Sequence, residues 1–167
     1  MSDEELIGKI AQGNEKAFDE LYERYSNSIY GLSFNYTGNP TDAQELTQEV
    51  FVKVWRNARK FRGKSSVKTW IFKIAVNVAM DYFRGKKRID YVEMPEEIEI
   101  KTQESLEFIA LREALLKISP RERMALLLVY AEARSYKETS KIMGCSVKAV
   151  ESLARRAKLK IRKILRK

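Results

Sequence analysis

Apolar residues recur at intervals of three and four along most of this chain, which predicts helix after helix and no strand pattern. Ser2 and Glu5 have the spacing of a capping box and open a short helix to about Gln12, with Leu6, Ile7 and Ile10 as its apolar face. Gly13 breaks it. Asn14 then caps a long helix whose core face carries Phe18, Leu21, Tyr22, Tyr25, Ile29, Leu32 and Tyr36. Thr37-Gly38-Asn39-Pro40 ends that helix, and Asn39 with Pro40 starts a third. Ala43, Leu46, Val50, Val54 and Ala58 form the inner stripe of this third helix. Asp42, Glu45, Gln48, Glu49 and Val52 lie outside it. Acidic residues early in a helix suit its dipole. An acidic face in a basic chain would also repel DNA and suit a basic protein surface.

The fourth predicted helix, from Val67 to about Arg84, follows the short loop Phe61 to Ser66, with Ser66 as its cap. Trp70, Ile71, Ile74 and Val78 make one apolar stripe, and Phe72, Val76, Ala79 and Phe83 a second. What remains is a narrow polar ridge of Thr69, Lys73, Asn77 and Arg84, running into the basic end Lys86-Lys87-Arg88. Such a helix suits a protein core with one solvated face. It equally suits unpaired bases, which stack on aromatic rings beside cations that track phosphate.

Residues 89–104 break the helical pattern: they hold Pro95 and six acidic residues, and read as an extended or weakly ordered linker. Beyond them, Ser105 to Ile118 is helical again, with Leu106, Ile109, Leu111, Leu115 and Leu116. Ser119-Pro120-Arg121-Glu122 opens the helix that continues through MALLLVYAEA, and Ser135-Tyr136-Lys137-Glu138 opens the next. That short helix, a turn at Gly144 and a last helix capped by Ser146 have helix-turn-helix grammar. Ser140 is small where the two helices must approach, while Met143, Cys145, Val150 and Leu153 fall at packing positions. Thr139 stands where Ile or Leu is commoner. Near the start of the last helix, Lys148, Glu151, Ser152 and Arg155 could reach base edges, and Arg156, Lys158 and later cations could hold phosphate.

Charge sharpens this division. The net charge of the 167 residues is +9. Residues 1–88 carry 15 Lys and Arg against 11 Asp and Glu; residues 89–104 carry 1 against 6; residues 105–167 carry 16 against 6. Two basic blocks flanking an acidic one give three segments, 1–88, 89–104 and 105–167, and point to an anionic partner. With no histidine, His-based acid–base catalysis and most zinc sites are excluded. Cys145 is the only cysteine, so no internal disulfide forms; it reads as a small buried hydrophobe, and the cytoplasm is the expected compartment. No run has the apolar length of a membrane span, and the acidic start does not look like a signal peptide. Arg62-Gly63-Lys64-Ser65 contains a Gly-Lys-Ser but not the earlier glycine of a phosphate loop. No metal, cofactor or enzymatic activity is expected.

Three stretches, DAQELTQEVFVKVW (42–55), FRGKSSVKTWIFKIAVNVAMDYFRGKKR (61–88) and SYKETSKIMGCSVKAVESLARRAKLKIRKIL (135–165), together resemble the bacterial sigma factors of the extracytoplasmic-function (ECF) group. The resemblance covers roughly residues 5–166. It implies an all-α chain of two small domains joined by the acidic linker, which directs core RNA polymerase to promoters and is not itself an enzyme. It implies that Asp42, Glu45, Gln48, Glu49 and Val52 dock on the clamp helices of the polymerase β′ subunit, with the β subunit a further contact. It implies that Phe61, Arg62, Lys64, Ser65, Lys68, Lys73, Asn77, Arg84, Lys87 and Arg88 open the −10 promoter element and hold a flipped base. Lys148, Glu151, Ser152, Arg155, Arg156 and Lys158 would read the −35 element as duplex. An anti-sigma factor is a further implied partner. The alternative reading is a stand-alone helix-turn-helix regulator that binds an operator without polymerase.

Overall fold

The computed structural model describes residues 1–88 and 105–166, except for the side chains of Phe83, Lys86, Lys87 and Arg88. The expected linker, 89–104, lies outside the described residues. Among those described, eight α-helices form the fold: α1 (Asp3–Ala11), α2 (Glu15–Thr37), α3 (Pro40–Asn57), α4 (Val67–Arg88), α5 (Leu106–Leu116), α6 (Pro120–Leu126), α7 (Tyr136–Met143) and α8 (Val147–Leu165).

Local chemistry sets the helix starts. Side chains of Ser2, Asn14, Asn39, Ser105, Ser119, Ser135 and Ser146 each accept a backbone N–H three residues on. Ser66 does the same for α4, accepting from the Thr69 N–H at 3.1 Å. Each bond satisfies one of the donors that a helix start leaves free. Gly38 and Gly144 end α2 and α7 in the left-handed conformation, at φ of 69° and 67°.

The expected core stripes of α1 and α3 are buried throughout. In α2, Leu21, Ile29, Leu32 and Tyr36 are buried, but Tyr22 is exposed and leans on Phe51, its ring centroid 4.8 Å away. Phe51 itself is buried. It belongs to the core alongside the expected stripe of α3.

Three sequence expectations need correction. Helix α4 runs one turn beyond Arg84, through Gly85, to Arg88. Helix α5 does not bury its leucine-rich face: Leu106 is 84% and Phe108 63% exposed, while Ala114, Leu115 and the post-helical Ile118 go inside. The helix opened by Pro120 does not continue regularly through Ala133. It loosens into a π-helical turn at Leu127–Ala131, and Ala133 adopts a positive φ of 52°. Two bonds close the segment, from Glu132 N–H to the Leu127 carbonyl and from Arg134 N–H to the Leu128 carbonyl. The wide turn redirects the chain so that Arg134 points inward.

The two helical blocks share one core. Helices α4 and α7 pack together, as do α2 and α5. Leu116 of α5 sits against Gly38: a Cβ added there would lie 2.8 Å from its Cδ1. Arg112 lies over the Phe34 ring at 4.2 Å, and Arg134 over the buried Phe72 ring at 4.5 Å.

Candidate nucleic-acid interface

The loop before α4 folds so that Phe61 and Trp70 meet edge to face, with centroids 5.4 Å apart and an interplanar angle of 61°. Both rings are half-buried. They line a cleft of about 360 Å³ together with Lys60, Arg62, Lys64, Ser65, Thr69, Lys73 and Lys141. The cleft has two aromatic walls and five cationic residues, and no acidic side chain lines it. Aromatic surface ringed by cations is what an unpaired base and its phosphates require.

Of the expected −10 residues, Phe61, Arg62, Lys64, Ser65 and Lys73 come together in this cleft. Asn77 and Arg84 do not: they line a neighbouring cavity of about 480 Å³ with Lys53, Asp81, Arg121 and Met143. Lys68 is exposed near the start of α4 and lines neither. Lys87 and Arg88 end α4, and their side chains lie outside the described residues. The structure adds Lys60, Trp70 and Lys141. Trp70 was hidden in the apolar stripe, although its spacing from Thr69 and Lys73 already placed it beside the polar ridge. Lys141 lies on α7, and no local signal links it to α4.

On α3, Glu45, Gln48, Glu49 and Val52 are exposed on one face. Val52 is 45% exposed, and Trp55, one turn further on, is 38% exposed while packing edge-on to Phe18 at 5.4 Å. The face is therefore acidic with an apolar end. Asp42 differs: it is half-buried, and with burial it holds the Tyr82 hydroxyl above its usual pKa. Glu49 pairs loosely with Lys53 at 3.8 Å.

The helix-turn-helix closes as expected around Gly144, with Thr139, Ser140, Ile142, Val150 and Leu153 buried. Thr139 is completely buried, so its methyl takes the place of the commoner aliphatic group. Cys145 is half-buried, not buried: it sits in the turn itself, between Gly144 and the Ser146 cap. Lys148, Glu151 and Arg155 are exposed on one face of α8, with Ser152 half-buried between them. Arg156 is exposed, and its Nε donates to the Ser152 carbonyl at 3.3 Å. Lys158 follows Arg155 and Glu151 at i+3 and i+7 along α8, its Nζ 5.1 Å from the centroid of the Tyr130 ring.

Glu122 anchors α8 to α6. Its carboxylate accepts from Ser119 Oγ at 2.6 Å and from Lys160 Nζ at 2.8 Å. Burial opposes its ionisation, but these two donors outweigh that and hold its carboxyl below the usual glutamate value. Among the described residues, no group of three His, Cys, Asp or Glu side chains could hold a metal ion, and no helix is long and apolar enough to cross a membrane.

The fold and its faces define an all-helical protein of two units, one carrying a basic aromatic cleft and the other a DNA-binding helix-turn-helix. Residues 21–89 match the family model for sigma-70 region 2, and residues 108–161 that for sigma-70 region 4. The chain belongs to the sigma-70 family of RNA polymerase sigma factors, in its ECF group. It is 32% identical to the RNA polymerase sigma-H factor of Pseudomonas aeruginosa, over 98% of this chain and 93% of that one. It is 32% identical to the ECF RNA polymerase sigma-E factor of Escherichia coli K12, over 95% and 91%. Among solved structures, CnrH in complex with the cytosolic domain of CnrY superimposes with a TM-score of 0.75 at 25% identity, over 98% and 96% of the two chains. The sigma factor RpoE in complex with the anti-sigma factor NepR, from Bartonella quintana, gives 0.77 at 22% identity over 90% and 98%, a likeness of fold. The chain is thus a promoter-specificity factor for transcription initiation, whose family partners are core RNA polymerase and promoter DNA. A match in both halves disfavours the stand-alone regulator.

Proposed function

We propose that the three faces divide the work of initiation as follows. The exposed acidic and apolar face of α3 (Glu45, Gln48, Glu49 and Val52, with Asp42 behind it) docks on the β′ clamp helices of core polymerase. The Phe61–Trp70 cleft takes a base unstacked from the −10 element, while Arg62, Lys64, Lys68 and Lys73 follow its phosphates. Asn77 reads a base edge one turn further along α4, toward Arg84, Lys87 and Arg88. The exposed start of α8 enters the major groove at −35, with Lys148, Glu151, Ser152 and Arg155 at base edges and Arg156 and Lys158 toward phosphate.

The observation that carries this reading is the cleft itself. Unstacking a base costs a few kcal/mol, and stacking on an aromatic platform returns about 1–3 kcal/mol per base. Phe61 and Trp70 supply such a platform, ringed by cations. Linkage through polymerase raises the effective concentration of both readers, so neither need bind tightly alone.

The functional segments are 1–88, 89–104 and 105–167. The chain acts in the cytoplasm and has no catalytic activity of its own, the chemistry being supplied by core polymerase. An anti-sigma factor is its regulatory partner. The exposed apolar residues Leu106, Phe108 and Ile109 of α5 and the likeness to CnrH bound to CnrY support that partner. Permanganate footprinting of promoter DNA bound by core plus this chain tests the reading: thymines around −10 should become reactive only with both components present. A reactive −10 with core alone, or none with both, would overturn it.

A further inference from the structure

A base held between Phe61 and Trp70 would meet side chains of one polarity. Lys60, Arg62, Lys64 and Lys73, from the loop and α4, line the cleft. All are exposed cations, and their nitrogens only donate hydrogen bonds. None of them pairs with a carboxylate among the described residues. Among those residues, no carboxylate and no side-chain amide lines the cleft.

The hydroxyls of the loop are committed locally. Ser65 Oγ donates to the Ser66 carbonyl at 3.1 Å. Ser66 Oγ accepts the Thr69 N–H at 3.1 Å and donates to Thr69 Oγ1 at 3.0 Å. Thr69 keeps its own proton to give, which makes it a further donor. These bonds tie down the arm of the loop that follows Lys64. Gly63, at a φ of 73°, supplies the turn that precedes it. Lys64 is thus carried between a tight turn and a capped helix start.

Charge alone serves phosphate. A flipped nucleotide brings only its own 5′ and 3′ phosphates, fewer groups than the cations gathered here, so the rest meet the base edge. Bases differ there in sign. Thymine and guanine present carbonyl oxygens, where cytosine and adenine present an amino group. A wall of donors satisfies the carbonyl and leaves the amino group without an acceptor. Removing a polar group from water without a partner is costly.

We infer that the Phe61–Trp70 cleft selects a keto base, thymine or guanine, and that Lys64 reads its carbonyl oxygen. The inference rests on the proposed base-holding role of the cleft. Of the two bases, thymine leaves a duplex more easily, because steps such as TA unstack readily.

The test uses core polymerase with the full chain. The probe is a pool of forked duplexes whose single-stranded −10 segment is randomised, and the bound molecules are sequenced. Phe61→Leu keeps apolar bulk but removes the ring, so the position where it erases base preference is the one the cleft reads. There the unaltered chain should favour thymine or guanine over cytosine and adenine about tenfold. Lys64→Glu should turn the ratio toward cytosine and adenine, since a carboxylate accepts from an amino group. Loss of a phosphate contact would weaken all four bases alike. An unchanged ratio in Lys64→Glu therefore overturns the reading given to Lys64. A preference of the unaltered chain for cytosine or adenine overturns the inference and leaves the base-holding role standing. If Phe61→Leu alters no position, the base-holding role itself fails and takes the inference with it. Melting temperatures of both variants separate these outcomes from unfolding.

Discussion

The Arg123 guanidinium donates to the backbone carbonyl of Tyr36 at 2.7 Å, 87 residues away in the chain, and its carbon lies 5.2 Å from the Tyr36 ring. One buried charge thus ties the end of α2 to the end of α5. Burial raises the Tyr36 hydroxyl to about 12, so the ring beside Arg123 stays neutral at physiological pH. Four carbonyl oxygens, those of Tyr36, Leu115, Leu116 and Ile118, accept from the Arg123 guanidinium.

Arg123→Met should therefore be costly. It removes the donors from four carbonyls at once, and buried polar groups left without partners cost about 1–3 kcal/mol each before relaxation. We expect a loss of roughly 3 kcal/mol or more, read as a lower urea midpoint. Lysine at the same site should not restore it, since an ammonium cannot span the fork of a guanidinium. An unchanged midpoint in both variants would contradict the role given to this bond set.

Acid should weaken the union of α6 and α8. The carboxyl of Glu122 is held below its ordinary value in the fold, so the folded state binds fewer protons there than the unfolded one. The stability it contributes is fully present above the ordinary glutamate pKa and is lost as pH falls through the depressed folded value. Lys160→Met should flatten that part of the melting-temperature profile in acid while changing little between pH 7 and 8. A profile as steep as that of the unaltered chain would remove Lys160 from the account.

Charge reversal on α3 should separate docking from folding. Glu45 and Glu49 are exposed, and the loose pair between Glu49 and Lys53 at 3.8 Å contributes little. Glu45→Lys with Glu49→Lys is expected to leave the melting temperature within a degree or two and to weaken capture by core polymerase about tenfold or more. Unchanged capture would sink the docking assignment.

The two ends of the ridge on α4 should behave differently. Asn77→Ala is expected to slow promoter opening while sparing assembly with core, because Asn77 is exposed and stands outside the aromatic cleft. Trp70→Ala should do the same more severely, by about 1–3 kcal/mol of lost stacking. It should also lower stability, since the ring is packed against Phe61 and the core. Fluorescence of 2-aminopurine placed in the −10 strand would separate the two. Equal opening rates for all three proteins would refute the base-holding role.

Much of this was legible in the residues, and the reason is local chemistry. Ser2, Asn14, Asn39, Ser66, Ser119, Ser135 and Ser146 each bond within their own first turn, so a helix start needs no knowledge of the fold. The turn at Gly144 and the polar ridge of α4 were readable for the same reason. The features that local sequence does not show depend on distant partners. Arg123 and Arg134 look like surface cations in sequence and are buried because α2 and α4 meet them there. The leucine-rich face of α5 looks like core, yet Leu106 and Phe108 stay largely exposed because the elements that would cover them are not supplied by their neighbours in sequence. The π-helical turn inside a run of leucines carries no compositional mark. Trp70 belongs to an apolar stripe in sequence, and its half-buried ring packs against the core and Phe61. Its other side completes a cleft that includes Lys141 from the far end of the chain.

The most direct measurement is selection of promoters from a pool of bacterial genomic DNA by core polymerase plus this chain, with start sites mapped on the transcripts. The expected result is a defined set of starts, absent with core alone, that share one sequence near −10 and one near −35, with Arg155→Ala relaxing the requirement only at −35. Starts indistinguishable from those of core alone, together with tight binding of the free chain to some duplex, would contradict the division of labour proposed for α3, α4 and α8.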